Sequence, residues 1–147
     1  MRIALTVCLV AACASAQEGT GPYPAILEQD PSLATHTIYR PQDMSKVKGK
    51  MPIIAWGNGG CANNGLAHRN FLMEIASYGF VAIAIGPPQA PPAAGQAKGA
   101  PKGAPKEDAK QAPAGPATKS SQLIDAVNWA LAENGRKGSM YNGKLDA

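Results

Sequence analysis

Met51–Gly65 reads MPIIAWGNGGCANNG. A short apolar run, Pro52 to Trp56, ends abruptly in a loop of glycine and asparagine, and an amphipathic segment follows from Leu66. The pattern is strand, tight glycine turn, helix. In α/β proteins such turns lie at the carboxyl ends of strands, where ligands bind. Glycine lets the backbone bend sharply and leaves N–H groups free to face a ligand. The fold class is therefore read as α/β, and what this loop holds becomes the functional question.

Outward from the loop, Leu66 to Tyr78 reads as a helix, with Phe71, Leu72, Ile75 and Ala76 on one face and Arg69, Asn70 and Glu74 elsewhere. Gly79 suits its end. Phe80 to Ile85, FVAIAI, reads as a second buried strand. Ile53 to Trp56 is apolar on consecutive positions, as expected of a strand covered on both faces. Strand, helix and strand in so short a span predict a βαβ unit with parallel strands. Upstream, Thr35 to Tyr39, THTIY, reads as a strand, at an edge, closed by Pro41. Gly19 to Pro31 is rich in Gly and Pro and reads as extended leader and turn.

Downstream the pattern breaks. Residues 87–118 are dominated by Pro, Ala, Gly, Gln and Lys, with KGAP twice in succession at Lys98 and Lys102. Such a composition cannot bury enough apolar surface to offset chain entropy, so a disordered, Pro/Ala/Gly/Lys-rich insertion is expected. Ser121 to Asn134, SQLIDAVNWALAEN, reads as a helix with Leu123, Ala126, Val127, Ala130 and Leu131 in one stripe. Ser120 or Ser121 is the expected cap and Gly135 the stop. The last residues, Arg136 to Ala147, read as turns with a strand about to begin at Lys144.

The chain of 147 residues suffices for one modest domain. Residues 1–16 have the form of a secretion signal: Arg2, an apolar run from Ile3 to Ala12 too short to span a bilayer, and Ala14-Ser15-Ala16 as a cleavage site. The mature chain would begin at Gln17, secreted or extracytoplasmic. Val10-Ala11-Ala12-Cys13 offers the alternative of a lipid anchor at Cys13. No later stretch is long and apolar enough to cross a membrane. Net charge is +4, much of it within the insertion, and no basic patch is interleaved with aromatics. A nucleic-acid partner is not expected. Of three cysteines two lie in the leader, leaving Cys61 as a single thiol: a small buried residue, a free thiol, or half of a disulfide.

Two chemistries compete for the loop. Gly57, Gly59 and Ala62 match the G-x-G-x-x-[G/A] dinucleotide fingerprint after a strand. That site needs an acidic residue near the end of the next strand to bind a ribose hydroxyl. No Asp or Glu lies between Glu74 and Glu107. Asn63, Asn64 and Gly65 are also poor residues with which to open a helix. The alternative is an oxyanion hole, in which backbone N–H donors face the negative oxygen of a tetrahedral intermediate.

By Asn58-Gly59-Gly60-Cys61, which sits where an HGGG-like donor loop follows a strand, the chain resembles the α/β-hydrolase superfamily. It is similar to exported esterase-like members: the chlorophyllase-like, dienelactone-hydrolase-like and polyester-hydrolase branches. The pieces that carry the resemblance are GPYPAIL, THTIYRP, PIIAWGNGGC, FLMEIASYGFVAIAIGPP and SQLIDAVNWALAENG. It implies a mostly parallel sheet with flanking helices, an ester substrate of small-molecule or polymer kind, and a Ser-His-Asp triad needing no cofactor. It carries over Gly60 and Cys61 as backbone N–H donors, Gly60 ahead of Cys61. It further implies that Cys61 pairs with a cysteine next to the nucleophile, and it makes Trp56 either an acyl-pocket residue or a core aromatic.

The triad itself is not in view. No G-x-S-x-G occurs; Ser139, in GSMYNG, has the wrong spacing and reads as a turn residue. His36 and His68 come too early, and read as edge-strand and surface histidines. The expectation is therefore the N-terminal part of a hydrolase domain, residues 17–147, truncated before the nucleophile elbow, inactive alone and poorly folding. The alternative is a non-enzymatic exported binding module with a Pro-rich tether.

Overall fold

A computed structural model describes residues 18–88 and 117–146. The predicted leader, the lipidation site at Cys13 and nearly all of the predicted insertion lie outside the described residues. Five strands form an open sheet: β1 (Ala25–Glu28), β2 (His36–Pro41), β3 (Met51–Trp56), β4 (Val81–Ile85) and β5 (Leu145–Asp146). Their spatial order is β1-β2-β4-β3-β5. Two helices, α1 (Arg69–Ser77) and α2 (Ser121–Gly135), lie against it. This is an α/β arrangement. Among the described residues no helix is long and apolar enough to cross a membrane.

The predicted parallel pair is present: β3 and β4 run parallel with Ile53 opposite Val81 and Trp56 opposite Ala84. The sheet is nevertheless mixed rather than mostly parallel. β1 pairs with β2 and β2 with β4 antiparallel, and only β4–β3 and β3–β5 are parallel. The short link of residues 29–35 lets β1 and β2 pair antiparallel, since antiparallel neighbours need no crossover. β1 lies inside the Gly/Pro-rich stretch, Gly19 to Pro31, that reads as leader. β2 is consequently an interior strand, not an edge, and every residue of it is buried.

β4 meets the expectation of a strand covered on both faces. β3 does not: Ile53 to Trp56 are half-buried. β5 pairs only with Met51 and Pro52, so the rest of β3 has no neighbour on that side among the described residues.

One layer of the core, between the sheet and α2, joins Ile38, Met51, Val81, Ile83, Ala126, Trp129, Tyr141 and Leu145. The other, under α1, joins Ala25, Tyr39, Leu72, Met73, Ala76 and Ala82. Both helices are rotated from the predicted stripe. α2 buries Ala126, Trp129, Ala130 and Glu133, and leaves Ile124, Val127 and Leu131 exposed. Trp129 decides this. Its indole N–H donates to Ser32 Oγ at 2.9 Å and its ring packs edge-on against Tyr141, so the largest side chain with a polar partner takes the interior position. Glu133 can follow it inward because Arg136 and Ser139 both donate to its carboxylate. Ser120 stands at the cap position without a side-chain cap bond, and the helix runs through Gly135 to a cap at Arg136. α1 buries Leu72, Met73, Ala76 and Ser77, and Phe71 stays exposed. Gly79 does end it, at φ +91°.

A charged cluster ties the antiparallel half to the end of the chain. Arg40 donates to both oxygens of Glu28 at 2.9 and 2.6 Å, and to the carbonyls of Pro41 and Gln42. Tyr141 Oη donates to Glu28 at 2.7 Å. Burial works against ionisation of Glu28, but the donors from Arg40 and Tyr141 outweigh it and hold its carboxyl below the usual 4.5. Buried His36 has both ring nitrogens engaged, Nε2 with Gln122 O and Nδ1 with Thr35 Oγ1. Burial depresses its pKa from 6.5, against the Gln122 hydrogen bond and Asp125.

Both shifts act in the same direction. A native-state pKa below the unfolded value means that the unfolded chain takes up more protons as pH falls. Stability should therefore decline on acidification in two stages: from about the ordinary histidine value of 6.5 downward for His36, and below 4.5 for Glu28. Denaturant melts across pH check this. Glu28→Gln, which leaves Arg40 without its counter-charge, should cost about 3 kcal/mol at neutral pH and shrink the lower stage, to which Glu133, also held below 4.5 by its hydrogen bond from Arg136, still contributes.

Candidate active-site loop

The loop after β3 is built by three fastenings. The first is Asn58. Its side-chain amide nitrogen donates to Ala62 O and Asn64 O at 3.0 Å and to Ile85 O at 2.9 Å. Its Oδ1 accepts the indole N–H of Trp56 at 3.2 Å. One side chain thus closes the loop on itself and joins it to the carboxyl end of β4. Sequence reasoning gave Asn58 no role beyond standing where His is common. The signal was its position directly after the strand, where free backbone carbonyls must find donors.

The second fastening is Gly65 against Gly86. Gly65 N–H donates to Pro87 O at 3.0 Å, and Tyr39 Oη donates to Gly65 O at 2.5 Å. A Cβ at Gly65 would run into the Thr37 hydroxyl and the Gly86 carbonyl. Gly86 itself lies at φ +106° with its α-carbon against the backbone of Asn63–Gly65. The third is Asn64 Oδ1, which accepts Leu66 N–H at 2.9 Å.

Between these fastenings the tip projects. Gly59–Cys61 form one turn of 3-10 helix, closed by Ala62 N–H on Gly59 O at 3.3 Å. Gly60 lies at φ 63°, ψ 23°, and Cys61 at φ 54°. Gly60 is exposed, and a Cβ there would meet nothing within 4 Å. Its N–H has no acceptor among the described residues. Glycine at this point is required by the left-handed backbone alone, not by crowding. Cys61 adopts the same region at the cost a β-carbon imposes there. Its thiol is free and exposed, so it is not the small buried residue that composition alone would favour. Its carbonyl accepts from Thr118 N–H at 3.3 Å.

The glycine loop does not open directly into a helix. α1 begins only at Arg69, beyond Asn63–Gly65 and a turn. A dinucleotide site needs the helix N-terminus at the glycines, and that geometry is not present. Trp56, at the end of β3, is half-buried on the α1 side and packs against His68 and Phe71.

The remaining nucleophile and base candidates are not brought together. Ser139 donates to Glu133 Oε2 at 2.6 Å and accepts from Tyr141 N–H. It is a turn residue tied to a carboxylate, with no histidine partner. His36 is buried in an interior strand rather than at an edge, with both nitrogens occupied. His68 is exposed at the start of α1 and lies edge-on to Trp56. Among the described residues no cluster of three or more His, Cys, Asp or Glu could hold a metal ion. No protein-family model matches the chain, and no curated protein matches it.

Asn58→Ala should cost about 2 kcal/mol, because three carbonyls lose their shared donor. Amide exchange measured for the loop should rise in Asn58→Ala, while the β2–β4 ladder keeps its protection. Gly65→Ala should be worse tolerated than Gly60→Ala, the first meeting side chain and backbone and the second only an unfavourable φ. Thermal melts of the two variants check the ranking.

Proposed function

We propose that this chain supplies the oxyanion-donor side of an exported serine hydrolase of the α/β-hydrolase type, acting on carboxylic esters. The observation that carries the reading is the Gly60 N–H: exposed, without an acceptor among the described residues, and held at the carboxyl end of a central parallel strand by a fastened loop. An oxyanion donor must be fixed before the charge forms and must not already be spent on a protein acceptor. Gly60 satisfies both conditions. Cys61 is the second donor candidate; its bond with Thr118 engages its carbonyl oxygen and not its N–H.

On this reading the nucleophilic serine, acid and catalytic histidine come from a segment other than those described, placed beside β3, and the present chain is inactive alone. The substrate is a small-molecule or polymer ester, with no nucleic-acid partner. No cofactor is required, since triad and backbone donors carry out acyl transfer unaided. A second reading, a non-enzymatic exported binding module, draws support from one observation: Ser139 and His36 are each committed elsewhere.

The two are separated by the reading frame and an ester assay. The chain as given should show no turnover of nitrophenyl acetate above buffer. A product of the same frame extended past Ala147 should carry a strand and G-x-S-x-G, and hydrolyse the ester in an organophosphate-sensitive manner. Turnover by the 147-residue chain, or a stop codon after Ala147, would sink the proposal in favour of an unrelated enzyme or the binding module.

A further inference from the structure

We infer that the cavity between the start of β2, the donor loop and the start of α2 is a binding site for a small carboxylate, taken up together with a proton on His36. The inference stands apart from the ester-hydrolase reading. On that reading, the ligand and the proton are the two species that ester cleavage releases together.

The cavity has a volume of about 230 Å³ and is lined by Ala34, Thr35, Asn63, Pro87, Ala117 and Gln122. These residues come from well-separated stretches of the chain, and hydrogen bonds hold the walls together. Gly86 N–H donates to Thr35 O at 2.9 Å, Gly65 N–H to Pro87 O at 3.0 Å and Thr118 N–H to Cys61 O at 3.3 Å. The lining divides by chemistry. Ala34, Pro87 and Ala117 offer an apolar wall for a short alkyl group. Thr35, Asn63 and Gln122 offer neutral polar groups. Asn63, unlike Asn58 and Asn64, makes no side-chain hydrogen bond among the described residues. Gln122 accepts Lys119 N–H through Oε1 at 2.8 Å, and its amide nitrogen has no acceptor among them. A volume below that of drug-sized sites suits a ligand of a few heavy atoms. Neutral donors beside an apolar wall fit a carboxylate better than a sulfate or phosphate, whose recognition favours arginine or lysine.

The proton enters at His36. This residue is fully buried and lies between two of the lining residues: Nε2 is 2.9 Å from Gln122 O, and Nδ1 is 3.0 Å from Thr35 Oγ1. A carbonyl only accepts, so Nε2 carries the hydrogen in the neutral ring. Nδ1 is then the acceptor, and the Thr35 hydroxyl donates to it. Protonation places a hydrogen on Nδ1. The Thr35 oxygen must then accept, and its own hydrogen turns away from the ring toward the cavity, where Thr35 is exposed. One proton thus adds a donor to the cavity and a positive charge beneath it. Asp125 on α2 acts on the ring but is itself exposed. Lys119, ahead of α2, is exposed too, and Ile85, opposite His36 on β4, is uncharged. A buried cation with so little counter-charge is costly, in keeping with the lowered pKa of His36. A carboxylate in the cavity supplies that counter-charge.

The test uses the full chain with isotope-labelled histidine ring nitrogens, assigned with His68→Gln. Acetate is titrated at constant ionic strength, with acetamide as the neutral analogue. At saturation acetate should raise the His36 pKa by about one pH unit, because a ligand that prefers the protonated ring tightens proton binding by the same factor. The exposed His68 should stay unmoved. Acetate should bind about tenfold more tightly at about pH 5 than at about pH 7. Acetamide should show neither effect. Thr35→Val and Asn63→Ala should each weaken acetate about fivefold through a lost hydrogen bond, and Thr35→Ser should retain it. Should Thr35→Val fail to fold, Asn63→Ala decides, since the Asn63 side chain holds no other described residue. A pH-independent acetate affinity, equal binding of acetamide, equal shifts at both histidines, or full affinity in either folded variant would overturn the proposal. None of these readouts involves ester turnover.

Discussion

The Asn58 side chain donates to three carbonyl oxygens, on Ala62, Asn64 and Ile85, and accepts the Trp56 indole N–H. A chain leaving the end of an interior strand has polar backbone groups without ladder partners, and burying them unpaired is costly. Asn58 meets that constraint with a single amide. It also turns the loop into a rigid unit referred to the end of β4. The Gly60 N–H owes its fixed, open position to this arrangement, and the aromatic cluster owes its orientation to the same residue. Loop and cluster are two outcomes of one hydrogen-bonding solution.

A second constraint shapes the rest of the molecule. Among the described residues the sheet is more tightly tied on the β1–β2 side than beside β3. β1 and β2 are locked by Arg40, Glu28 and Tyr141, with every Arg40 nitrogen bonded. Towards β3 the order thins: β5 reaches only Met51 and Pro52, and Ile53 to Trp56 are half-buried. The exposed rings of His68 and Phe71 belong to the α1 layer, and the exposed apolar residues Ile124, Val127 and Leu131 to α2 in the other layer.

Much of this was legible from particular residues. The run IIAW followed by GNGG announces a strand and a turn, and FVAIAI announces the buried strand that pairs with it in parallel. The starts shift, β3 beginning two residues earlier at Met51 and β4 one later at Val81, while both ends hold. β1 was not legible: four residues, AILE, between prolines and a turn carry too little pattern, and only pairing with β2 makes them a strand. Nor was the rotation of α2. Leu123, Val127 and Leu131 satisfy helical periodicity as well as Trp129 does, and the choice between those faces depends on whether Ser32 and Tyr141 are present to receive the indole. Of the site residues, Gly60 and Cys61 stood out in the motif, whereas Asn58, Gly65 and Gly86 act through partners distant in sequence.

By itself the sequence determined the local events: where strands and helices run, where glycine must bend the chain, and that a donor-rich loop follows a β3-like strand. These depend on propensity, periodicity and backbone freedom within a few residues. The tertiary structure alone decided that the sheet is mixed, that His36 is interior and its ring spent, that the Gly60 N–H has no acceptor among the described residues, and that Trp56, His68 and Phe71 meet. Each of those depends on which long-range acceptor or ring competes successfully for a group, and such competition is settled only when the elements are packed together.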